Sequence, residues 1–300
     1  MNSQFVANDG KFMDLISTGA SLEKLHGGMR WAEGPVYFPL GNYLLWSDIP
    51  NHRMYQWIDG VGVRVFREQS NYSNGNTRDR EGRLITCEHL TRRVTRTEHD
   101  GSIKVIADNF RGKRLNSPND VVVRSDGTIW FTDPPYGILS DIEGKKADQE
   151  LAGCYVFRFD PKDASLSIVV DDFVKPNGLA FSPDESQLFV ADSGRSHDPE
   201  GPHHIRVFDV SEDGDLSNGL VFAEIDPGVP DGFRFDTQGN LWTSAGNGVH
   251  CYDPNGQKIG EIRTGETVAN VCFGGPGNDV LFITATTSLL AVKLKTTGIK

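Results

Sequence analysis

Six polar residues recur along the chain in similar local settings, and side chains of these types could bind a metal ion together. Each is followed ten or eleven residues later by an aliphatic residue of a strand-like segment, and successive members lie 39 to 58 residues apart. The six are Glu33, Asn74, Asn119, Asn177, Asp231 and Asn270. Carboxylate and amide oxygens suit Ca²⁺ or Mg²⁺, whereas histidine and thiolate, which the set lacks, would indicate zinc. The set therefore predicts a site for a divalent cation.

An ordinary turn explains each of these residues when it is taken alone. Asn74, Asn177 and Asp231 are each followed by glycine, and Asn-Gly and Asp-Gly pairs are common turn sequences. Six such residues in one register, with two carboxylates among them, favour a shared site over six unrelated turns.

Four acids occupy a second register of the same pattern. The residues 14 or 15 positions after the first six are Asp48, Glu88, Asp133, Asp192, Ala245 and Ala285. A hairpin returns the end of its second strand to the start of its first, so these acids should lie on the same face as the first set. They could support the cation site, contact a substrate or simply end strands, and the sequence leaves these alternatives open.

The residues of both registers must lie on or beside short β-strands. The 33 glycines and 15 prolines fall mostly in turn clusters between brief β-branched or aromatic runs, and the one helix we expect is short, near residues 20–25. A hairpin unit recurs six times at a mean spacing of about 47 residues, which leaves room for four strands per unit. The sequence therefore predicts an all-β fold, a six-bladed β-propeller with four-stranded antiparallel blades around a central channel.

In a propeller the first strand of each blade lines the channel, so the six polar residues should form a ring around it. No linker-like boundary interrupts the pattern, which predicts a single domain over residues 1–300 whose N- and C-terminal segments close the ring. Two polar insertions, residues 139–152 and 195–204, lengthen the third and fourth units without strands of their own. Loops of this length often serve as lids or binding loops.

Composition argues against several classes of protein. The 300 residues are 37% hydrophobic, enough for a large core, and a net charge of −11 repels nucleic acid. No apolar run approaches the roughly 18 residues of a membrane span, and no signal-peptide pattern begins the chain. We therefore expect a cytoplasmic protein without nucleic-acid or membrane partners, and its evenly scattered charges suggest a monomer or weak homodimer. Its dispersed cysteines, Cys87, Cys154, Cys251 and Cys272, should be buried free thiols.

Four segments, read in order, resemble the signatures of a known family. They are Trp31-Ala32-Glu33-Gly34-Pro35, Ser117-Pro118-Asn119-Asp120, Pro176-Asn177-Gly178-Leu179-Ala180-Phe181 and Pro230-Asp231-Gly232. Over about residues 25–290 the chain resembles the gluconolactonase family, which includes senescence marker protein and luciferin-regenerating enzyme. Residues 83–89 and 130–137 look most like bacterial gluconolactonases. One departure is Ser117, where the branch typified by senescence marker protein has an arginine.

The resemblance implies a six-bladed propeller with one catalytic divalent cation, usually Ca²⁺, with Mg²⁺, Mn²⁺ or Zn²⁺ as alternatives. The residues that it implies as ligands are Glu33, Asn119, Asn177 and Asp231, which are four of the six found from spacing. The implied activity is hydrolysis of a sugar lactone of the D-glucono-1,5-lactone type to the aldonic acid. A small-molecule sugar lactone would then be the partner.

Lactone hydrolysis needs a polarised carbonyl, an activated water and a stabilised oxyanion, and one cation with open coordination positions can contribute to all three. Asp231 is the predicted general base, since a carboxylate beside the cation can take a proton from the attacking water. A hydroxyl-rich ligand also needs several hydrogen-bonding groups around it. The predicted substrate contacts are Asn74, Asn116, Asp133 and Tyr136.

Two further residues invite a chemical role. His89 could shuttle a proton, although a histidine at a strand end is more often structural. Ser193 has neither a Gly-x-Ser-x-Gly elbow nor an identifiable base beside it, which argues against a serine hydrolase. Two alternatives to sugar-lactone hydrolysis stay open. One is a non-catalytic, calcium-stabilised propeller that binds a protein or polysaccharide, and the other is a hydrolase of other lactones, aryl esters or organophosphates on the same cation.

Overall fold

Residues 4–299 are described by a computed structural model, in which short strands follow one another along the whole chain. The N-terminal elements are β1 (Phe5–Ala7), α1 (Gly10–Leu15) and β2 (Glu23–Gly27). Strands form where β-branched and aromatic residues run together, and turns fall where glycine supplies a positive φ, as at Gly127 (φ 89°) and Gly239 (φ 80°). This alternation of strand and turn continues to the end of the described chain.

The first three blades follow one another in chain order. Blade 1 contains β3 (Ala32–Phe38), β4 (Tyr43–Asp48), β5 (Arg53–Ile58) and β6 (Gly62–Glu68). Blade 2 contains β7 (Ser73–Arg78), β8 (Leu84–Glu88), β9 (Arg93–Thr97) and β10 (Ile103–Ala107), followed by a small ribbon of β11 (Asn109–Phe110) and β12 (Lys113–Arg114). Blade 3 contains β13 (Val121–Val123), β14 (Ile129–Asp133), the short helix α2 (Tyr136–Leu139), β15 (Cys154–Asp160) and β16 (Ser165–Phe173).

The remaining blades complete the circle. Blade 4 contains β17 (Pro176–Phe181), β18 (Gln187–Asp192), a 3₁₀ turn (Gly194–Ser196), β19 (His204–Val210) and β20 (Leu216–Glu224). Blade 5 contains β21 (Phe233–Phe235), β22 (Leu241–Ala245), β23 (Gly248–Tyr252) and β24 (Lys258–Arg263). Blade 6 contains β25 (Val268–Gly274), β26 (Val280–Ala285) and β27 (Ser288–Lys293).

The strands of each blade pair antiparallel in chain order, and the first strands of successive blades contact one another in a closed circuit around the channel. The predicted six-bladed, all-β propeller is therefore confirmed. N-terminal strands enter two blades, because β2 pairs with β27 at the edge of blade 6 and β1 pairs with β24 at the edge of blade 5. Blade 6 is thus assembled from both ends of the described chain.

The helix predicted near residues 20–25 is wrong. Residues 23–27 form β2 instead, since they complete the edge of blade 6. The helix that does form, α1, begins at Asp9, whose side chain accepts a hydrogen bond from the backbone N–H of Lys11 at 2.9 Å. Its buried Phe12 packs 6.0 Å from Trp242, between ring centroids, so the helix seals the outer side of blade 5.

The core lies between neighbouring blades. Trp46, Trp130 and Trp242 are completely buried at similar places on the second strands of blades 1, 3 and 5, each within a different apolar cluster. All four cysteines are free, as expected, although Cys154 is partly exposed while the other three are buried. No helix within residues 4–299 is long and apolar enough to cross a bilayer.

Candidate active site

All six polar residues of the first register lie at the same end of the channel, which we call the ring mouth. Four of them lie within the first three residues of a strand: Glu33 in β3, Asn74 in β7, Asn177 in β17 and Asn270 in β25. Asn119 and Asp231 lie two residues before β13 and β21. Two contacts across the channel show that the ring is narrow. Asn270 Nδ2 donates to Glu33 Oε2 at 3.1 Å, and the carboxyl group of Asp231 lies close enough to Glu33 for the charge of Glu33 to raise its pKa.

β-Bulges lie at the ring residues and release their side chains from the regular alternation of a strand. The pairing of β3 with β4 is irregular between Glu33 and Val36, and that of β17 with β18 between Pro176 and Leu179. β7 and β25 are irregular at the corresponding places. A bulge sets two residues of one strand against one of its partner and so re-aims a side chain, which explains how these strands can present polar groups to the channel.

The glycines that follow ring residues do not make turns; they let neighbouring blades touch. A Cβ atom on Gly178 would lie 2.0 Å from the backbone oxygen of Asp231, and one on Gly34 would lie 2.1 Å from that of Asn74. Only a residue without a side chain fits between two backbones at this distance. The Asn-Gly and Asp-Gly pairs therefore serve the close approach of the innermost strands, which is what makes the ring small.

Hydroxyl groups on second strands hold the backbone of the next blade's ring residue. Ser47 Oγ donates to the carbonyl oxygen of Asn74 at 2.8 Å, and Thr132 Oγ1 donates to that of Asn177 at 2.7 Å. Sequence reasoning missed these residues. The signal that could have found them is a hydroxyl residue next to the second-register acid, one position before it in both blades.

Glu33 and Asp231 form a pair of carboxyl groups without a facing cation. Glu33 is buried and Asp231 is partly exposed, and neither forms an ion pair with a Lys, Arg or His anywhere in residues 4–299. Burial and the repulsion of Asp120 raise the pKa of Glu33 to about 8. Burial and the neighbouring Glu33 raise the pKa of Asp231 well above its ordinary value. A divalent cation would supply the counter-charge that this pair lacks.

Two ring amides leave a buried oxygen without a partner. Asn177 Nδ2 donates to Ser193 Oγ at 3.0 Å, and Asn74 Nδ2 lies 3.3 Å from His89 Nε2, but the Oδ1 atom of each asparagine accepts no hydrogen bond. The buried side chain of Asn119 makes no hydrogen bond with any described residue either. A buried unpaired oxygen is costly, so these atoms suit a ligand or cation in the ring.

The donor set fits a hard cation and not zinc. Within residues 4–299, no three His, Cys, Asp or Glu side chains converge as a metal site, so a cation at the ring must rely on amide oxygens as well as on carboxylates. Oxygen-only coordination by carboxylates and amides is typical of Ca²⁺.

The second-register acids pin the loops that lead into the ring. Asp48 Oδ1 accepts from the backbone N–H groups of Arg30 and Trp31, at 3.1 and 3.3 Å. Asp192 accepts from those of Val174 and Lys175, both at 2.9 Å. Each acid thus fixes the residues two and three positions before a ring member. Of the three roles that the sequence left open, support of the ring is the one these contacts display.

The predicted substrate contacts occupy different depths. Asn116 and Asp133 are completely buried and bind each other, since the backbone N–H of Asn116 donates to Asp133 Oδ2 at 2.7 Å and its Nδ2 donates to the carbonyl oxygen of Asp133 at 2.9 Å. Asn74 lies in the ring itself. Tyr136 lies at the rim, where its hydroxyl is 3.1 Å from Ser196 Oγ and burial raises its pKa. Of the four, Tyr136 is the one whose side chain is partly exposed.

The insertion at residues 139–152, which we call the cap segment, folds back over the ring mouth. Glu143 in this segment is close enough to Glu33 and Asp231 for its charge to raise the pKa of both. Burial raises the pKa of Glu143 itself. The sequence predicts a lid or a binding loop here but does not indicate Glu143, because nothing in a single insertion shows which residue turns inward.

His89 connects the cap segment to the ring. Its Nδ1 atom lies 3.0 Å from the backbone oxygen of Glu143, and its Nε2 atom lies 3.3 Å from Asn74 Nδ2. The imidazole of His89 therefore donates through Nδ1 and accepts through Nε2, which is the pattern of a neutral histidine. Burial lowers the pKa of His89 to about 4. Two fixed hydrogen bonds favour the structural alternative for this residue over a proton shuttle.

Ser193 and Ser117 also have structural partners. Ser193 Oγ donates to the carbonyl oxygen of Pro230 at 2.5 Å and accepts from Asn177, so it orients a ring amide, and no base contacts it among residues 4–299. Ser117, where the resemblance would place an arginine, donates to the carbonyl oxygen of Pro134 at 2.6 Å and accepts from the N–H of Gly137 at 2.9 Å. It thereby holds the turn that starts the cap segment.

The ring, its loops and the cap lie within the region that a family model matches. The SMP-30/Gluconolactonase/LRE-like region is found at residues 31–287. The chain belongs to this family. The resemblance that the four sequence segments indicated is thereby confirmed.

Relatives of similar length share most of the chain. A gluconolactonase of Zymomonas mobilis is 32% identical over an alignment of 326 positions, gaps included, which covers 99% of this chain and 89% of that protein. A pentonolactonase of Haloferax volcanii is 27% identical and covers 85% and 81% of the two chains. The solved structure of a gluconolactonase from Xanthomonas campestris is 37% identical and superimposes with a TM-score of 0.91 over 97% of this chain and 94% of that one.

Proposed function

We propose that the protein is a lactone hydrolase that opens a sugar lactone on one divalent cation held at the ring mouth, with D-glucono-1,5-lactone as the first substrate to test. The observation that carries the proposal is the ring itself, in which two carboxyl groups without a counter-charge face buried amide oxygens without hydrogen bonds. Relatives named for gluconolactone and pentonolactone hydrolysis support the reaction class.

The residues that would hold the cation are Glu33, Asn119, Asn177 and Asp231. Ca²⁺ is the ion we propose, because the four side chains offer only oxygen ligands and leave room for water and substrate on an ion that takes six to eight ligands. When bound, the cation would polarise the lactone carbonyl, acidify a water and stabilise the oxyanion.

Asp231 is the proposed general base. Both carboxylates of the pair could in principle take a proton from water, but Glu33 is 2% exposed and its Oε2 atom already accepts from Gly34 N–H and Asn270 Nδ2. Asp231 is partly exposed at the mouth, and its carboxyl group has no described partner except Glu33. The more accessible and less engaged carboxylate is better placed to meet an incoming water.

The mouth offers hydrogen-bonding groups for a polyhydroxylated ligand. Tyr136 presents a hydroxyl at the rim, Asn74 presents an unpaired oxygen in the ring, and Glu143 presents a carboxyl group from the cap segment. Asn116 and Asp133, which the sequence predicts as contacts, are buried and would act on a ligand through the loop that they hold. The hydroxyl of Tyr136, the unpaired oxygen of Asn74 and the carboxyl group of Glu143 can pair with the hydrogen-bond donors and acceptors of sugar hydroxyls.

The test is proton release from D-glucono-1,5-lactone by chelator-stripped protein, with and without added Ca²⁺, corrected for spontaneous ring opening. We expect turnover that depends on the cation and returns when Ca²⁺ is restored. Absence of turnover with Ca²⁺, Mg²⁺, Mn²⁺ or Zn²⁺ would contradict gluconolactonase activity and favour other lactones or esters, or the non-catalytic alternative.

A variant of Ser193 distinguishes the cation mechanism from that of a serine hydrolase. Ser193→Ala removes a hydroxyl that orients Asn177 but leaves all four proposed ligands in place. We expect turnover to fall by about tenfold or less, whereas loss of a nucleophile costs orders of magnitude more. A variant with no measurable turnover but normal Ca²⁺ binding would assign Ser193 to the chemistry.

A further inference from the structure

The opposite end of the channel, which we call the distal mouth, opens into a cavity of about 480 Å³. Its walls begin only two or three residues along the innermost strands from the ring members, at Asn76 and Arg234, and continue to the far ends of those strands. Arg78 lies four strand residues beyond Asn74, or about 13 Å at roughly 3.3 Å per residue. A ligand anchored at Arg78 is therefore distinct from a lactone held at the ring.

Three arginines face this cavity in a chain whose net charge is −11. Arg80 forms an ion pair with Glu185 at 3.0 Å, and Arg234 lies 3.7 Å from Asp120 on the inner side. The side chain of Arg78 has no hydrogen bond and no ion pair with any described residue, although Arg78 is partly buried. The guanidinium of Arg78 therefore has no counter-charge.

The two acids that line the cavity do not neutralise Arg78. Asp79 is engaged by Arg83, whose Nε lies 2.7 Å from Asp79 Oδ2, and by backbone N–H groups on its other oxygen. Glu185 is engaged by Arg80 and by the backbone N–H of Ser125 at 2.9 Å. Burial and the neighbouring Arg80 both lower the pKa of Arg78, as expected for a cation that lacks a partner. An anion in the cavity would relieve this cost.

The remaining walls mix polar and apolar groups. Asn278 and Ser182 line the cavity beside the rings of Phe181 and Phe273. A volume of this size matches pockets for small organic molecules, whereas an inorganic ion alone would leave most of it to water. Arginine binds carboxylate and phosphate oxygens through a planar fork of N–H donors.

We propose that the distal mouth binds a small organic oxyanion of about the size of a sugar acid or sugar phosphate, with Arg78 as its principal anchor and Arg80 and Arg234 beside it. The shared chemistry is an oxyanion on a small polar molecule. Whether the oxyanion is a carboxylate or a phosphate is decided by the two arms of the experiment below.

Calorimetric titration of cation-free protein with D-gluconate, D-glucose 6-phosphate, inorganic phosphate and neutral D-glucose tests the proposal. Removing the divalent cation keeps the ring from retaining a sugar acid. We expect one of the two organic anions to bind with a Kd of about 1 mM or tighter, and D-glucose to bind at least tenfold more weakly. The affinity should fall with added salt, since the contact is an ion pair near the surface.

Three variants assign the binding to this cavity. Arg78→Gln should weaken the anion at least tenfold, and Arg78→Lys should weaken it less, because it keeps the charge but loses the fork. Lys162→Gln removes one positive charge from an exposed turn outside the cavity and should change affinity less than twofold. Arg78 makes no side-chain hydrogen bond within residues 4–299, so Arg78→Gln should fold, which its unfolding midpoint checks.

Two results would overturn the proposal. One is that neither organic anion shows binding when its concentration reaches about ten times the expected Kd. The other is that an anion binds equally well to wild type and Arg78→Gln, which would place it elsewhere. Lactone turnover is measured separately from anion binding. Failure of the distal mouth to bind an anion would therefore not contradict the proposed hydrolase, and absence of lactone turnover would not contradict the distal site.

Discussion

The two mouths of the channel are built from the same six strands, yet they differ in width and in charge. At the ring mouth neighbouring backbones touch where Gly178 meets Asp231, and carboxyl and amide oxygens crowd together. At the distal mouth the strands leave a cavity of about 480 Å³ lined by three arginines. The narrow end gathers carboxyl and amide oxygens, and the wide end has room for an organic anion.

An ion pair lies between these two environments. Asp120 follows the ring residue Asn119, and Arg234 lies three residues after Asp231, so the pair at 3.7 Å joins the inner side of the ring to the inner side of the cavity. The charge along the axis thus changes from acidic to basic within the length of one strand. If the mouths are functionally separate, substitutions at one should leave the other unchanged.

The largest expected effect is the loss of turnover on Asp231→Asn. The amide keeps a cation ligand but cannot accept a proton, so we expect a fall of about 10³-fold, within the range for a lost general base. Arg78→Gln at the distal mouth is the matched control and should stay within twofold of wild type. Initial rates of proton release at saturating Ca²⁺ measure both.

That result would separate the mouths by at least two orders of magnitude. Asp231→Asn that keeps more than about a tenth of wild-type turnover would remove Asp231 from the role of base. A comparable loss in Arg78→Gln would show that the distal mouth takes part in the reaction.

The second effect concerns what keeps the ring mouth narrow. In Gly178→Ala the new Cβ would lie 2.0 Å from the backbone oxygen of Asp231, and neither backbone can move without shifting its blade. We expect the free energy of unfolding to fall by about 3 kcal/mol, with weaker Ca²⁺ binding. Gly10→Ala is the control, because nothing lies within 4 Å of its Cβ position. Equal urea midpoints for the two variants would contradict the close approach.

The ring could be found from sequence because a propeller brings equal positions of its blades to one place. Spacing located Glu33 and Asn270 as ring members, and they are hydrogen-bonded although 237 residues apart in sequence. Glu143 could not be found this way, since the cap segment lies outside the hairpin register that recurs in all six blades. The distal arginines follow no common register either: Arg78 comes four residues after one ring member, and Arg234 three after another.

Local structure was harder to predict than the repeat. The segment at residues 20–25 was predicted to be helical, and it became strand β2 because the open edge of blade 6 needs a partner. The acids of the second register were located correctly, but their role depends on which loop folds against them. Asp48 binds the N–H groups of Arg30 and Trp31, a contact between residues 17 and 18 positions apart that no local pattern encodes.

The third effect is a loss of stability in acid that traces to His89. Its folded pKa of about 4 lies below the ordinary value near 6.5, so between those values the unfolded chain binds more protons than the folded one. Stability is therefore full above pH 6.5 and falls as the pH drops, by about 2 kcal/mol at pH 5 for this residue. His89→Gln should reduce the difference in unfolding free energy between pH 7.5 and pH 5 by that amount.

His99→Gln, at an exposed position, is the control for this measurement and should leave the difference unchanged. Since His89 joins the cap segment to the ring, its variant should also raise KM more than it lowers kcat. An unaltered pH dependence in His89→Gln would show that His89 is not the buried neutral link described above.

The smallest effect distinguishes the cap from the ring. Glu143→Gln keeps a hydrogen-bonding group above the ring and removes its charge, so we expect KM for the lactone to rise about fivefold, or about 1 kcal/mol, with kcat little changed. Asp148→Asn removes a charge from an exposed position of the same segment and should have no effect. Steady-state kinetics of the two variants tests whether Glu143 binds substrate or takes part in the chemistry. A fall in kcat of about 10²-fold would place it beside Asp231, and the ring mouth would then contain two reacting carboxyl groups and not one.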